Sequence, residues 1–156
     1  MAEITRCGRG ILWALKQVGK AYRMGAEAKL LPEDFGNPNA FQRITEYDCS
    51  ELAQCYLWAA GVESVNGVHV QWFDGAWKQY EQARHIPIET ARLTIGALIF
   101  VQSATSYPDK PLHIGHVGIV IAPGFVLEAR GRDYGVLIGP VRKTFGLGAK
   151  IDELYQ

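Results

Sequence analysis

Ile11, Leu12, Leu15 and Val18 recur at the three- and four-residue spacing of a helical face, which predicts a first helix over Gly10–Lys20. From Tyr22 to Tyr47 the periodicity lapses, and Gly25, Pro32, Gly36, Asn37 and Pro38 break any regular element. A connection of that length in a small domain is usually functional or mobile. Cys49–Ala60 is rich in apolar and small residues and reads as a second helix, with Gly61 as its stop signal. A third, "VQWFDGAWKQYEQA", is interrupted by Gly75. Beyond Thr94 the period changes. "GALIFVQ", "HIGHVGIVI", "GFVLEARG" and "GVLIGPV" are short runs of branched and aromatic residues bounded by Gly or Pro, the pattern of antiparallel strands. Helices first and strands afterwards predict an α+β fold, with N-terminal helices packed on a C-terminal antiparallel sheet.

At 156 residues the chain is expected to form one domain, 1–156, with a core of its own. Sixteen basic and sixteen acidic residues cancel, and no charge run stands out, so neither nucleic acid nor an anionic membrane surface is indicated as the main partner. The N-terminal stretch "MAEITRCGRGILWALKQVGK" lacks the long apolar run and cleavage site of a signal peptide, and nothing approaches a membrane span. Three cysteines cannot all pair and none forms a C-x-x-C, which points to free thiols made in a reducing compartment.

Cys49 is the residue that asks for an explanation. It stands between Asp48 and Ser50 at the start of the second helix, where unpaired backbone N–H groups and the positive end of the dipole favour a thiolate. The bland alternative is an inert cysteine at a helix end capped by Asp48 or Ser50. Four histidines could supply a base. His69 and His85 flank the interrupted helix and read as surface or structural residues. His113 and His116 are three apart on a strand, so they point to opposite faces and make a poor metal clamp. Cys49 and Cys55 lie on different sides of their helix, and no zinc or other cofactor is expected.

His116 shares its strand face with Gly118 and Val120, and the glycine is expected to leave open space beside the imidazole. The chain turns at "APG" and returns toward Arg130. An odd-length turn or a bulge there puts Glu128 on the face of His116; a strict two-residue turn puts it on the other. On the same face, Glu128 could accept the imidazole N–H and fix the tautomer a base needs.

"YDCSELAQCYLWAAGV" followed downstream by "HIGHVGIVIAPGFVLEARG" resembles the NlpC-type family of bacterial cell-wall cysteine peptidases, which have a papain-like fold. "GKAYRMGAE" resembles that family's tyrosine-containing segment, so the likeness runs from Gly19 to about Gly135. The resemblance implies Cys49 as nucleophile, His116 as base and Glu128 as third polar residue. It implies a pocket-lining role for Tyr22, and structural or substrate contacts for Asp48 and Ser50. Three departures stand out: Glu51 where the family commonly has glycine, Ala97 in place of the acid of a Gly-Asp-Leu, and an acid at 128 where histidine is commoner.

The implied reaction is acyl transfer from a peptide bond of peptidoglycan to Cys49 and then to water. Arg130 could meet a substrate carboxylate, although pairing with Glu128 or another acid is the preferred reading. Bacterial peptidoglycan is thus the expected partner. Without a leader, the chain would be delivered to the wall as phage lysins and tail hydrolases are. Two rivals remain at this stage: an acyltransferase on a related fold, and a wall-binding module without catalysis.

Overall fold

The computed structural model describes residues 4–103, 109 and 112–156. In chain order these form α1 (Arg6–Leu15), β1 (Ala21–Tyr22), β2 (Glu46–Tyr47), α2 (Cys49–Ala60), β3 (Ser64–Val65), β4 (Val68–His69), α3 (Ala76–Gln82), β5 (Arg84–Ile86) and α4 (Ile88–Ala91). Then follow β6 (Leu98–Gln102), β7 (Ile114–Ala122), β8 (Phe125–Ala129), β9 (Val136–Pro140) and β10 (Phe145–Lys150). Six strands make one antiparallel sheet in the order β5-β10-β6-β7-β8-β9. The α+β expectation holds. α2 and α3 pack on β7, and α1 packs on α2, enclosing the main core. α4 covers part of the opposite sheet face, over a smaller cluster of Ala91, Ala97, Ile99, Val120, Val126 and Phe145.

α2 begins and ends where its local signals place it. Asp48 accepts the Glu51 amide at 2.8 Å, and Gly61 takes the left-handed conformation at φ +93° that closes the helix. α1 differs from expectation. It starts at Arg6, because the Thr5 hydroxyl accepts the Gly8 amide, and it ends at Leu15. Its buried side is Gly10, Trp13 and Ala14, while Leu12, Leu15 and Val18 are each more than 40% exposed. Two contacts outweigh the aliphatic spacing. The fully buried Trp13 donates its indole N–H to the Ala40 carbonyl at 2.8 Å. Gly10 brings the helix against Tyr56 of α2, where a Cβ would stand 2.6 Å from a ring carbon.

The third expected helix is split. Val70–Trp72 forms a single 3-10 turn, and Gly75, at φ +115°, precedes the short α3. The irregular stretch before β2 is pinned through its backbone. Buried Asp34 accepts the Phe41 amide at 3.0 Å and the Arg43 guanidinium at 2.8 Å, and Trp58 donates to the Leu31 carbonyl at 2.8 Å.

In an open helix, Gly→Ala gains up to about 1 kcal/mol. At Gly10 the added methyl would meet Tyr56 at 2.6 Å and Ala60 at 3.0 Å. Gly10→Ala is therefore expected to destabilise the fold by about 1–3 kcal/mol, read as a lower urea midpoint; an unchanged or higher midpoint would count against this packing.

Candidate active site

Cys49 is the first residue of α2. The carboxylate before it, Asp48, accepts the backbone amides of Glu51, Gly25 and Ser50 and, at 3.2 Å, the Ser50 hydroxyl. Asp48 is thus the cap, and Ser50 leans on it. Burial pushes the Asp48 carboxyl up, and these hydrogen bonds oppose the shift. The parallel pairing of β1 with β2 sets Tyr22 level with Tyr47, one residue ahead of Asp48. The Tyr22 hydroxyl contacts the Met24 sulfur at 3.7 Å.

The Cys49 thiol is half-buried, with its Sγ 3.9 Å from the Gly115 carbonyl at the entry to β7. There the register shifts, with Val101 opposite His116 and Gln102 opposite Ile114, so that Gly115 drops out of the ladder. His116 follows directly, and Cys49 is among the groups that shift its titration. Beyond it Val117 and Ile119 enter the main core and Val120 the smaller cluster, which sets the alternation expected of the strand. Gly118 does not leave open space. A Cβ there would stand 2.5 Å from Val126 and 3.5 Å from the Phe145 ring, and that ring packs against the His116 imidazole at 5.7 Å between centroids.

The turn after β7 resolves the parity of Glu128. Ala122 pairs with Phe125 across a two-residue turn, but the register shifts between Val120 and Ala122, so Val120 pairs with Val126 and Ile119 with Leu127. The bulge restores the parity that a tight turn alone would lose, and Glu128 emerges on the face of His116. Its Oε1 lies 2.7 Å from His116 Nε2. That contact leaves Nδ1 as the ring nitrogen for Cys49.

Glu128 has no exposed surface, and the cation that neutralises it is Arg142. The guanidinium grips both carboxylate oxygens at 2.6 and 2.7 Å and lies over the Phe145 ring at 4.9 Å. Arg130, the cation considered from sequence, is not the partner; it stacks on Tyr134 at 4.4 Å. Burial works to raise the Glu128 carboxyl, but the hydrogen bonds from His116 and Arg142, with their charges, hold it down to about 2. Burial likewise works to lower His116, yet Cys49 and Glu128 together lift it to about 9. At neutral pH the ring is an imidazolium between a sulfur and a carboxylate. Such a chain can activate a thiol, hold a ring in one tautomer and deliver a proton.

The remaining candidates are structural. His69 caps the 3-10 turn through its Nδ1, 3.0 Å from the Gln71 amide. His85 stacks on Tyr80 at 3.8 Å, and its Nε2 lies 2.9 Å from the Tyr80 carbonyl. His113 precedes β7 with φ +49°. Cys55 is buried in the core, and Cys7 is packed near Tyr56 and Tyr155, with its thiol pushed up by burial. Sequence reasoning missed Arg142 and Phe145. The only signal for a cation was indirect, since an acid inside a sheet core needs a partner and several arginines follow it.

The sequence matches no protein-family model, and no curated protein matches it. Solved structures do match. The chain superposes on the peptidoglycan hydrolase RipB of Mycobacterium tuberculosis with a TM-score of 0.65 and 26% identity, over 94% of its own length and 64% of RipB's. It superposes on the P60 domain of an antigen of M. avium subspecies paratuberculosis with a TM-score of 0.64 and 29% identity, over 94% of each chain. The NlpC/p60 domain of the peptidoglycan hydrolase SagA gives 0.61 and 19%, over 92% of this chain and 97% of that one. The architecture is papain-like, as expected from the sequence.

The network has a definite pH signature. Glu128, held at about 2 against an ordinary 4.5, contributes stability that is present above 4.5 and lost as the pH falls through 2. His116, at about 9 against 6.5, contributes stability that is present below 6.5 and lost as the pH rises through 9. Arg142→Met leaves a buried carboxylate short of its cation and is expected to cost about 3 kcal/mol at neutral pH. In urea melts at several pH values, that cost should shrink as the pH falls from 4.5 toward 2. A cost that did not vary with pH would mean that Arg142 acts by packing alone.

Proposed function

We infer that this chain, of the NlpC/P60 type by its fold and structural neighbours, is a cysteine peptidase that hydrolyses the peptide stems of bacterial cell-wall peptidoglycan. The observation that carries this reading is the placing of Cys49, at the start of α2, against the His116 end of β7, with His116 hydrogen-bonded to Glu128 and Glu128 to Arg142. RipB and SagA, both named as peptidoglycan hydrolases, support the choice of substrate. The wall is then the place of action. Residues 1–156 act as one catalytic unit in this reading.

The Cys49 thiolate attacks the carbonyl carbon of a stem peptide. The backbone N–H of Cys49 is not among the amides that Asp48 takes up, so it is the donor at hand for the developing oxyanion. His116 gives its Nδ1 proton to the departing amine as the C–N bond breaks, leaving a thioester. The ring then takes a proton from water, whose oxygen attacks the thioester and releases the acid and the thiolate. Glu128 stays ionised throughout. It is a positioning residue, fixed by Arg142, and not the base.

The test is release of new amino groups from purified peptidoglycan. Cys49→Ala and His116→Ala are each expected to lower it at least about 10⁴-fold, with unchanged circular dichroism, whereas Cys7→Ala and Cys55→Ala retain most of the activity. Near-native turnover in Cys49→Ala would sink the mechanism. Glu128→Ala should cost roughly 10²-fold or more, and Glu128→Gln, which keeps an acceptor for the ring N–H, should cost less. Equal, full activity in both Glu128 variants would remove it from the site.

A further inference from the structure

α1 is apolar on both of its sides. Gly10, Trp13 and Ala14 face the core, while Leu12, Leu15 and, just past the helix end, Val18 are each more than 40% exposed. Gly19 and Lys20 bond through their backbones to Val136, which brings this outer stripe beside β9. There Ile138 is 41% exposed; it pairs with Leu127 of the main core and so lies on the same face of the sheet. A helix with two apolar sides is one whose outer side is covered in use.

The charge beside the stripe is of one sign. Ile4 to Ala26 carries Arg6, Arg9, Lys16, Lys20 and Arg23 and no acidic residue, an imbalance that the neutrality of the whole chain conceals. Among the described residues only Arg23 of these five meets a carboxylate, that of Glu46 at 3.7 Å. The Lys16 ammonium donates to the Asn39 side chain and that of Lys20 to the Phe41 carbonyl. At the start of α1, Arg6 and Arg9 line a cavity of about 480 Å³ with Ile4 and Tyr155, and its wall holds no acidic side chain. Arg6 donates to the Glu153 carbonyl at 3.3 Å and Arg9 to the Ile4 carbonyl at 2.8 Å, while Arg9 Nε is buried with no partner. The acids next along the chain are taken up elsewhere, Asp152 by Arg84 at 2.9 Å and Glu153 by the Asn66 amide at 2.8 Å. Two guanidinium groups at one cavity without an acid suit a phosphate.

We propose that α1 is a docking surface for an anionic phospholipid bilayer, with Leu12, Leu15 and Val18 entering the outer acyl region and Arg6 and Arg9 receiving a lipid phosphate. Among the described residues no helix is long and apolar enough to cross a membrane, so the chain rests on the bilayer without spanning it through a helix. Arg9 Nη2 lies against Gly61, at the opposite end of α2 from Cys49, so the seated chain keeps its thiol away from the lipid. A second copy of the chain is the poorer occupant, because two α1 helices would set like charges against each other. A soluble polyanion would satisfy the arginines and leave the leucines in water.

The test is co-sedimentation of the 156-residue chain with vesicles of palmitoyl-oleoyl phosphatidylglycerol or of the matching phosphatidylcholine. Partition onto the anionic vesicles is expected to be at least about tenfold stronger. It should fall as sodium chloride rises from about 0.05 to about 0.5 M. Leu15→Ser, at an exposed position, should weaken it about tenfold, and Arg6→Gln about fivefold. Should either variant not fold by circular dichroism, the lipid and salt series on the unaltered chain decide alone. No sedimentation with either vesicle, equal sedimentation with both, or anionic binding that folded Leu15→Ser leaves unchanged overturns the inference. Thermal stabilisation by inorganic phosphate or polyphosphate without vesicle binding gives the cavity to a soluble anion and overturns the lipid. A dimer in sedimentation equilibrium that Leu15→Ser dissociates gives the stripe to a second copy and overturns it likewise. Vesicle binding is read without turnover, so its failure leaves the peptidase reading untouched.

Discussion

Glu128 carries a negative charge with no exposed surface, and such a charge is tolerable only with a full set of partners. Arg142 supplies a bidentate grip and His116 a third hydrogen bond. The rest of the site is arranged around that requirement. The bulge between Val120 and Ala122 turns Glu128 onto the right face. Val126 and Phe145 fill the space over Gly118 and seal the carboxylate from water, while Phe145 supports both the imidazole and the guanidinium. Removing any one partner would leave a buried charge instead of a network.

The two ends of the site treat a carboxyl in opposite ways. Glu128 is paired and falls to about 2; Glu51, in the first turn of α2, is unpaired among the described residues and rises to about 8. Environments that push two similar groups apart assign them different work. One stays charged to hold a histidine. The other is left buried and without a hydrogen-bond partner among the described residues. Asp48 stands between these roles, tying the loop at Gly25 to the helix start through shared amides, so that the sulfur is held by the same residues that shape an acidic cavity walled also by Glu27 and Asp74.

What was legible in the sequence was local. Asp48 and Gly61 mark the ends of α2 by side-chain chemistry that acts within one turn, and the branched runs of β6 to β9 are plain in their alternation. Cys49 and His116 could be singled out, each from its position in such an element. The side of Glu128 could not, because one bulged residue in a hairpin inverts the answer. Arg142 lies between β9 and β10 and has no periodicity to announce it. β10 itself was hidden by Gly146 and Gly148, although Gly148 is required there, where a Cβ would collide with Ala91 of α4. α1 misled because four aliphatic positions look like a core face, whereas one tryptophan and one glycine decide the packing.

The position of β10 in the sheet has a consequence for biosynthesis. This late segment inserts between β5 and β6 and brings Phe145 against the histidine, directly after Arg142. A ribosome delivers the chain from its N-terminus, so the thiol and the imidazole emerge well before the groups that make Glu128 tolerable in the interior. Until those residues arrive, the sheet is open at its middle and the carboxylate belongs in water. A site built this way gains its working geometry only once Arg142 and Phe145 have been made, and not when its thiol and imidazole first appear.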